Sequence, residues 1–156
     1  MTFNPFEVLV NKYSPKVKKV RSNAFIPTKG SKYAAGFDLY ACVDKATEIP
    51  AHETVMIPTG ISLELLPETF GGIYARSGLA TKQGLAPANK VGIIDSDYRG
   101  EVIVALHNHS DKTKVVNHGD RVAQLIIQKY EAFELLEVDE LDGTDRGNGG
   151  FGSTGK

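Results

Sequence analysis

The chain has 156 residues, a formal net charge of −1 and a single cysteine. That length suits one domain with a full hydrophobic core, and the near-neutral charge supplies no overall positive field to draw it to nucleic acid or anionic lipid. Cys42 alone excludes an intrachain disulfide and fits a reducing compartment. No apolar run approaches a membrane span, and the N-terminus lacks the charged-then-apolar plan of a signal peptide. The expectation is a soluble intracellular protein, cytoplasmic or, in a eukaryote, also nuclear.

In chain order, Asn4, Pro5 and Glu7 have the arrangement of an N-cap, a first helical residue and a capping-box partner. Val8, Leu9 and Val10 suit a strand equally, and both readings stay open. Residues 16–21 carry four positive charges around Val17 and Val20. They read as a nucleic-acid arm or as a solvated strand with its valines inward; so short a segment in a slightly acidic chain favours the strand. After a turn-rich loop at 27–32, β-prone runs bounded by turn residues predict strands at 37–42, 54–57, 60–65, 71–75, 101–108, 114–117, 121–129 and 133–138. Pro50, Pro58 and Pro67 fall between runs, where a missing donor does least harm. Cys42 reads as a small core residue without an activating partner. The one internal helical candidate is the turn at 78–83, and residues 131–141 read as strand or helix. So many short strands at close spacing indicate an all-β barrel or sandwich.

Residues 89–101, NKVGIIDSDYRGE, carry the most information. Val91, Ile93 and Ile94 favour a strand, and the polar residues around Tyr98 favour a reversal. With the next β-prone run they predict a β-hairpin holding Asp95 and Tyr98 near its turn. A carboxylate and a ring beside exposed backbone groups could read a flat heterocycle by its hydrogen-bonding edge. An ordinary hairpin with a polar turn explains the same residues.

From about residue 142 the composition shifts, and five of the last eleven residues are glycine. A flexible tail explains this composition by itself. Residues 150–156, GFGSTGK, satisfy the first seven positions of a Walker A pattern, but the sequence supplies no following Ser/Thr or helix and no clear strand before them. This is not a P-loop. His52, His107, His109 and His118 lack recognisable metal spacing and suit surface or capping roles.

Five segments, in order, resemble the motifs of the trimeric deoxyuridine triphosphatases (dUTPases): residues 35–39 (AGFDL), 76–79 (RSGL), 89–101, 119–124 (GDRVAQ) and 146–155 (RGNGGFGSTG). The resemblance implies a distorted jelly roll. It divides the chain into an unassigned extension at 1–15, a β-barrel domain at 16–141 and a Gly-rich arm at 142–156 that closes over a neighbouring active site. It also implies Mg²⁺-assisted hydrolysis of dUTP to dUMP and pyrophosphate by a homotrimer with shared sites. This activity limits uracil in DNA and supplies dUMP for dTMP synthesis. No nucleic-acid or membrane partner is expected.

Within that resemblance, Arg76, Ser77 and Gly78 grip the α- and β-phosphates, and Gln124 adds an amide nearby. Taken alone, Arg76 reads as a surface arginine paired with a carboxylate, and Gln124 as an outward-facing strand position. Asp38 would bind the metal through water; a structural carboxylate bonded to arginine or backbone is the alternative. Asp95 is the expected general base, taking the proton of the attacking water, with Asp97 its rival. Tyr98 would pack under deoxyribose and leave no room for a 2′-hydroxyl. Asn89 and the backbone around Gly92 and Ile94 would read uracil. In the arm, Phe151 would cover the base, Arg146 would meet the γ-phosphate, and Gly152, Ser153 and Thr154 would complete the phosphate cradle.

The chain departs from the family at Phe37, where tyrosine is frequent, and at Ala75, where proline commonly precedes the RSG turn. Neither change removes a proposed reacting group. The dCTP deaminases resemble dUTPases in fold but use a glutamate where this chain places Ala105. A nucleotide-sensing module that has lost turnover is a different class of reading. It would be favoured by the loss of Asp95 or the tail, and both are present.

Overall fold

The computed structural model describes residues 14–150; the segment at 4–10 with its two open readings lies outside them. Twelve strands and one helix follow in the order β1 (Lys16–Lys19), β2 (Thr28–Lys29), β3 (Phe37–Tyr40), β4 (Thr47–Ile49), β5 (Thr54–Pro58), β6 (Ile61–Glu64), β7 (Thr69–Tyr74), α1 (Ser77–Gln83), β8 (Leu85–Pro87), β9 (Gly92–Ile94), β10 (Ile103–Asn108), β11 (Lys114–Val116) and β12 (Arg121–Lys129). The all-β expectation holds, and α1 falls where the single internal helix was predicted. The strands form four antiparallel sheets, ordered β2-β3-β12-β7-β9, β5-β10-β8, β1-β6 and β4-β11. This is a jelly roll broken into separate sheets rather than one closed barrel among the described residues.

Alternation on the strands builds the core. On β10, Val104, Leu106 and Asn108 point inward while Ile103, Ala105 and His107 lie on the opposite face. The inward set packs with Leu39 of β3, Ile49 of β4, Ile57 of β5, Ile61 of β6 and Leu125 of β12. Cys42 is a buried core residue, as its sequence context predicts. Its Sγ lies 3.2 Å from Asn23 Oδ1, to which the thiol donates, and burial raises its pKa.

Buried Asn108 ties three segments together. Its amide nitrogen donates to the carbonyls of Ile49 (2.9 Å), Pro50 (3.1 Å) and Lys112 (2.9 Å). Its oxygen accepts from the Ser110 amide and hydroxyl at 3.0 and 2.7 Å. All of its hydrogen-bonding capacity stays inside the protein, which makes a fully buried polar side chain tolerable.

Three expectations are corrected. The predicted hairpin between 91–94 and 101–106 does not form: β9 pairs with β7, through Gly71↔Ile94, Gly72↔Ile93 and Ile73↔Gly92, and β10 pairs with β5 and β8. The chain beyond the turn is drawn toward β6 instead. The Val102 amide donates to the Ile61 carbonyl (2.8 Å), Ser62 Oγ donates to the Arg99 carbonyl (2.7 Å), and Glu101 accepts from the Gly60 amide (2.8 Å). Val17 and Val20 are not inward; they are 38% and 45% exposed, Val17 on β1, whose one hydrogen-bonded neighbour among the described residues is β6, and Val20 just after it. Residues 133–138 form no strand, and 131–141 form no helix. This stretch is irregular and exposed, and it pairs with no strand among the described residues.

Candidate active site

The centre of the five-stranded sheet assembles the first part of the site. Gln124 of β12 stands opposite Asp38 on one side and Tyr74 on the other. Directly opposed residues in an antiparallel pair share a face, so Asp38 and Gln124 are neighbours there. The chain leaves β7 after Tyr74 and enters α1 through Arg76, whose carbonyl accepts the first helical bond from Ala80 (2.9 Å). At the other end, Gly84 closes the helix in the left-handed conformation (φ 71°), which a side chain would strain.

Asp38, Arg76, Ser77, Gly78 and Gln124 therefore converge on one cleft of about 430 Å³. Asp38 is clamped. Arg76 Nε donates to its Oδ1 at 2.8 Å, and Arg121 Nη1 donates to its Oδ2 at 3.1 Å. The structural carboxylate bonded to arginine, one of the two readings of Asp38, is thus present. Arg76 also has the carboxylate partner that its tripeptide alone suggested. Gln124 is half-buried and donates one N–H from Nε2 to the Ala75 carbonyl (2.9 Å), which leaves its second N–H and its oxygen for other partners. Ser77 and Gly78 are exposed, and a Cβ at Gly78 would meet nothing within 4 Å. A ligand can approach that backbone closely.

The second part lies around β9. Asn89 sits in the reversal before the strand, where the Lys90 amide donates to the Pro87 carbonyl (3.2 Å). Asn89, Gly92, Ile94 and Ala105 share a cavity of about 170 Å³. Gly92 leaves room for close packing: a Cβ there would stand 3.1 Å from Asn89 Nδ2 and 3.3 Å from Ile73 Cβ, so the Asn89 amide would have to shift. Beyond β9, the Tyr98 amide donates to the Asp95 carbonyl (3.1 Å), and Arg99 Nη1 donates to the carbonyls of Ser96 (2.7 Å) and Tyr98 (3.0 Å). This tight turn presents Asp95 and Tyr98 beside Ile94, Met56 and Ile103 in a cavity of about 320 Å³. Asp95 lines that cavity, and its rival Asp97 does not.

Among the described residues the two parts line different cavities: the cleft with Arg76 shares no lining residue with those holding Asn89 and Asp95. Arg146 stands apart from both, its Nε donating to the Gly149 carbonyl (2.8 Å) in an exposed turn. Phe151, Gly152, Ser153 and Thr154 lie outside the described residues. Arg121 was missed as a functional candidate although it stands inside the fourth motif-like segment. Its role depends on Asp38, 83 residues earlier, and on the register shift between Arg121 and Ala123 that lets β12 bring the guanidinium to it. Met56 of β5 and Ile103 of β10, which the sequence marks only as strand residues, are exposed beside Ile93 and Ile94 of β9 and form walls of the Asp95 cavity.

The dUTPase family model matches residues 22–155. The chain belongs to the dUTPase family. It is 49% identical over 140 residues to the deoxyuridine 5′-triphosphate nucleotidohydrolase of Arabidopsis thaliana, covering 90% of this chain and 82% of that protein. The Candida albicans deoxyuridine 5′-triphosphate nucleotidohydrolase is 48% identical over 133 residues, covering 84% of this chain and 81% of its own length. In fold, the chain is similar to the dUTPase of Staphylococcus bacteriophage 80alpha, solved with dUPNHPP, at a TM-score of 0.82, 24% identity, and coverage of 92% and 99% of the two chains. The dUTPase match takes in every candidate residue from Asp38 to Thr154. No helix among the described residues is long and apolar enough to cross a membrane.

Proposed function

We propose that this dUTPase-family protein hydrolyses dUTP to dUMP and pyrophosphate, limiting uracil in DNA and supplying dUMP for dTMP synthesis in the cytoplasm, or also the nucleus of a eukaryote. The observation that carries the reading is the convergence of Asp38, Arg76, Ser77, Gly78 and Gln124, from three separate elements and a helix cap, on one cleft. Those groups supply a guanidinium, a hydroxyl, an open backbone and an amide, the donor set a polyphosphate needs. Asp95 takes a proton from the water that attacks the α-phosphorus. The new P–O bond forms as the α–β bridging bond breaks, and pyrophosphate carries away the electron pair.

The same cleft suits Mg²⁺. Both oxygens of Asp38 accept from guanidiniums, but a carboxylate offers about four acceptor sites, so each oxygen retains capacity for a metal-bound water. No group of three or more His, Cys, Asp or Glu among the described residues forms a cage, and Mg²⁺ held mainly by phosphate and water needs none. Bound there, the ion would neutralise phosphate charge and orient the oxygens.

Asn89 and the backbone at Gly92 and Ile94 read the uracil edge, and the tight wall excludes a 5-methyl group. Ala105 lines that cavity without offering a carboxylate, which disfavours the deaminase alternative. Tyr98 packs under the sugar. Three subunits complete each site: the phosphate cleft of one, the Asn89–Tyr98 segment of a second, and the arm of a third, with Arg146, Phe151, Gly152, Ser153 and Thr154. The separation of the two cavities within a protomer supports this assembly. So do Phe133, Leu135, Leu136 and Leu141, which are 83%, 100%, 85% and 88% exposed in the stretch that leads to the arm. Burying one leucine on a neighbour contributes roughly 1.5–3 kcal/mol, a strong bias toward oligomers. The arm at 142–156 then closes over a neighbouring site, while 1–15 carries no assigned role.

The test is a panel of nucleoside triphosphates with Mg²⁺, read as pyrophosphate release. Only dUTP is turned over efficiently. Equal cleavage of dTTP or UTP overturns the pocket, and orthophosphate as first product overturns attack at the α-phosphorus.

A further inference from the structure

Tyr98 is 44% exposed, with its ring beside the cavity that holds Asp95 and Ile94. On its other side the ring rests on Gly100. A Cβ built on Gly100 would overlap Tyr98 Oη, come within 2.5 Å of Cζ and stand 3.0 Å from Cε2. Packed carbon atoms do not approach so closely, so a side chain at position 100 and the present ring position exclude each other.

The backbone on either side has little freedom to give way. The Tyr98 amide is bonded to Asp95, the Tyr98 and Arg99 carbonyls accept from Arg99 Nη1 and Ser62 Oγ, and Glu101 is fixed by the Gly60 amide and by Arg21 (Nε–Oε1 3.0 Å). The ring is the part that must yield. Its hydroxyl donates to the Glu101 carbonyl (3.2 Å), a bond that holds it against residue 100 and is lost if it swings away.

We infer that Gly100 is a specificity-determining position, whose missing side chain lets the Tyr98 ring lie against residue 100 and close on the C2′ side of the sugar. The inference rests on the proposed seating of deoxyribose on Tyr98. A side chain at 100 lifts the ring off its support and breaks its bond to Glu101. The ring then closes less tightly against the sugar, and a 2′-hydroxyl is admitted. Gly100 acts through Tyr98 and touches no reacting atom.

The experiment measures kcat/KM for dUTP and for UTP in wild type, Gly100→Ala, Tyr98→Leu and the double variant, with folding checked by thermal melting. Gly100→Ala should lower the dUTP/UTP ratio by about tenfold, mainly through improved use of UTP, and should add nothing in the Tyr98→Leu background. An unchanged or higher ratio overturns the inference, as does an equal loss in the background without the ring. Should Gly100→Ala be too unstable to assay, Gly100→Ala in a Tyr98→Phe background, which removes the closest atom, is compared with Tyr98→Phe alone; a ratio no lower than that of Tyr98→Phe overturns the inference. Wild type that fails to prefer dUTP over UTP sinks the functional reading itself; wild type that prefers it while Gly100→Ala behaves identically sinks only the inference.

Discussion

Asp38 and Asp95 are two carboxylates in different physical circumstances. Asp38 is held between Arg76 and Arg121, with only 13% of its side chain exposed, so its charge is matched and its direction fixed. Asp95 stands exposed on a turn that is closed by its own carbonyl. The first arrangement suits holding a hydrated cation, and the second suits a group that must receive a proton from a water reaching it with substrate. Asp95→Asn preserves shape and removes the proton acceptor. It should keep the affinity for a non-hydrolysable dUTP analogue, measured by calorimetry, and lower kcat by about a hundredfold or more. Undiminished kcat would move the role to Asp97 or elsewhere. The placing of Asp95 and Tyr98 on one turn was legible because both lie in one continuous segment with that turn. The Arg121–Asp38 bond was not, because neither residue's neighbours in sequence hint at a partner on another strand.

At the scale of elements, what the sequence specified was alternation. β12 spans the predicted 121–129, and β10 keeps a strict inward-outward pattern over the six residues that define it. Pairing was less legible, because two consecutive β-prone runs suggest a hairpin whether or not side-chain ties draw the second run elsewhere. Here Glu101, Ser62 and Val102 do so, and β9 is left to pair with β7 at the sheet edge. Asn108 is a comparable case. As a polar residue ending a strand it reads as surface, yet it is wholly buried and joins the end of β10 to the segment after β4 and the turn before β11. Asn108→Ala would leave the carbonyls of Ile49, Pro50 and Lys112 without their shared donor. The expected cost is about 3 kcal/mol, read as a lower denaturant midpoint. A loss within experimental error would show that water replaces the amide without penalty.

For the whole molecule, the decisive question is whether one site draws on three chains. Cyclic head-to-tail interfaces permit such sharing, and the fold gives it a physical motive. The Arg76 cleft and the Asp95 cavity share no lining residue in one protomer, and the stretch at 131–141 leaves its apolar side chains in solvent. Two inactive variants test the idea: Asp95→Asn, and a deletion beginning at Asp145 that removes Arg146 and the residues after it. Refolded together in equal amounts, they form mixed trimers, shown first by size exclusion and mass measurement. A competent site then needs Asp95 from a tail-deleted chain and a tail from an Asp95→Asn chain. Each is drawn with a probability of about one half, so about one quarter of the sites should regain activity. If base and tail acted within one chain, no mixed species could hold a complete site, because every chain lacks one or the other. Activity no higher than the average of the two parents, with mixed trimers demonstrated, would therefore refute the three-subunit site while leaving the dUTP reaction itself intact.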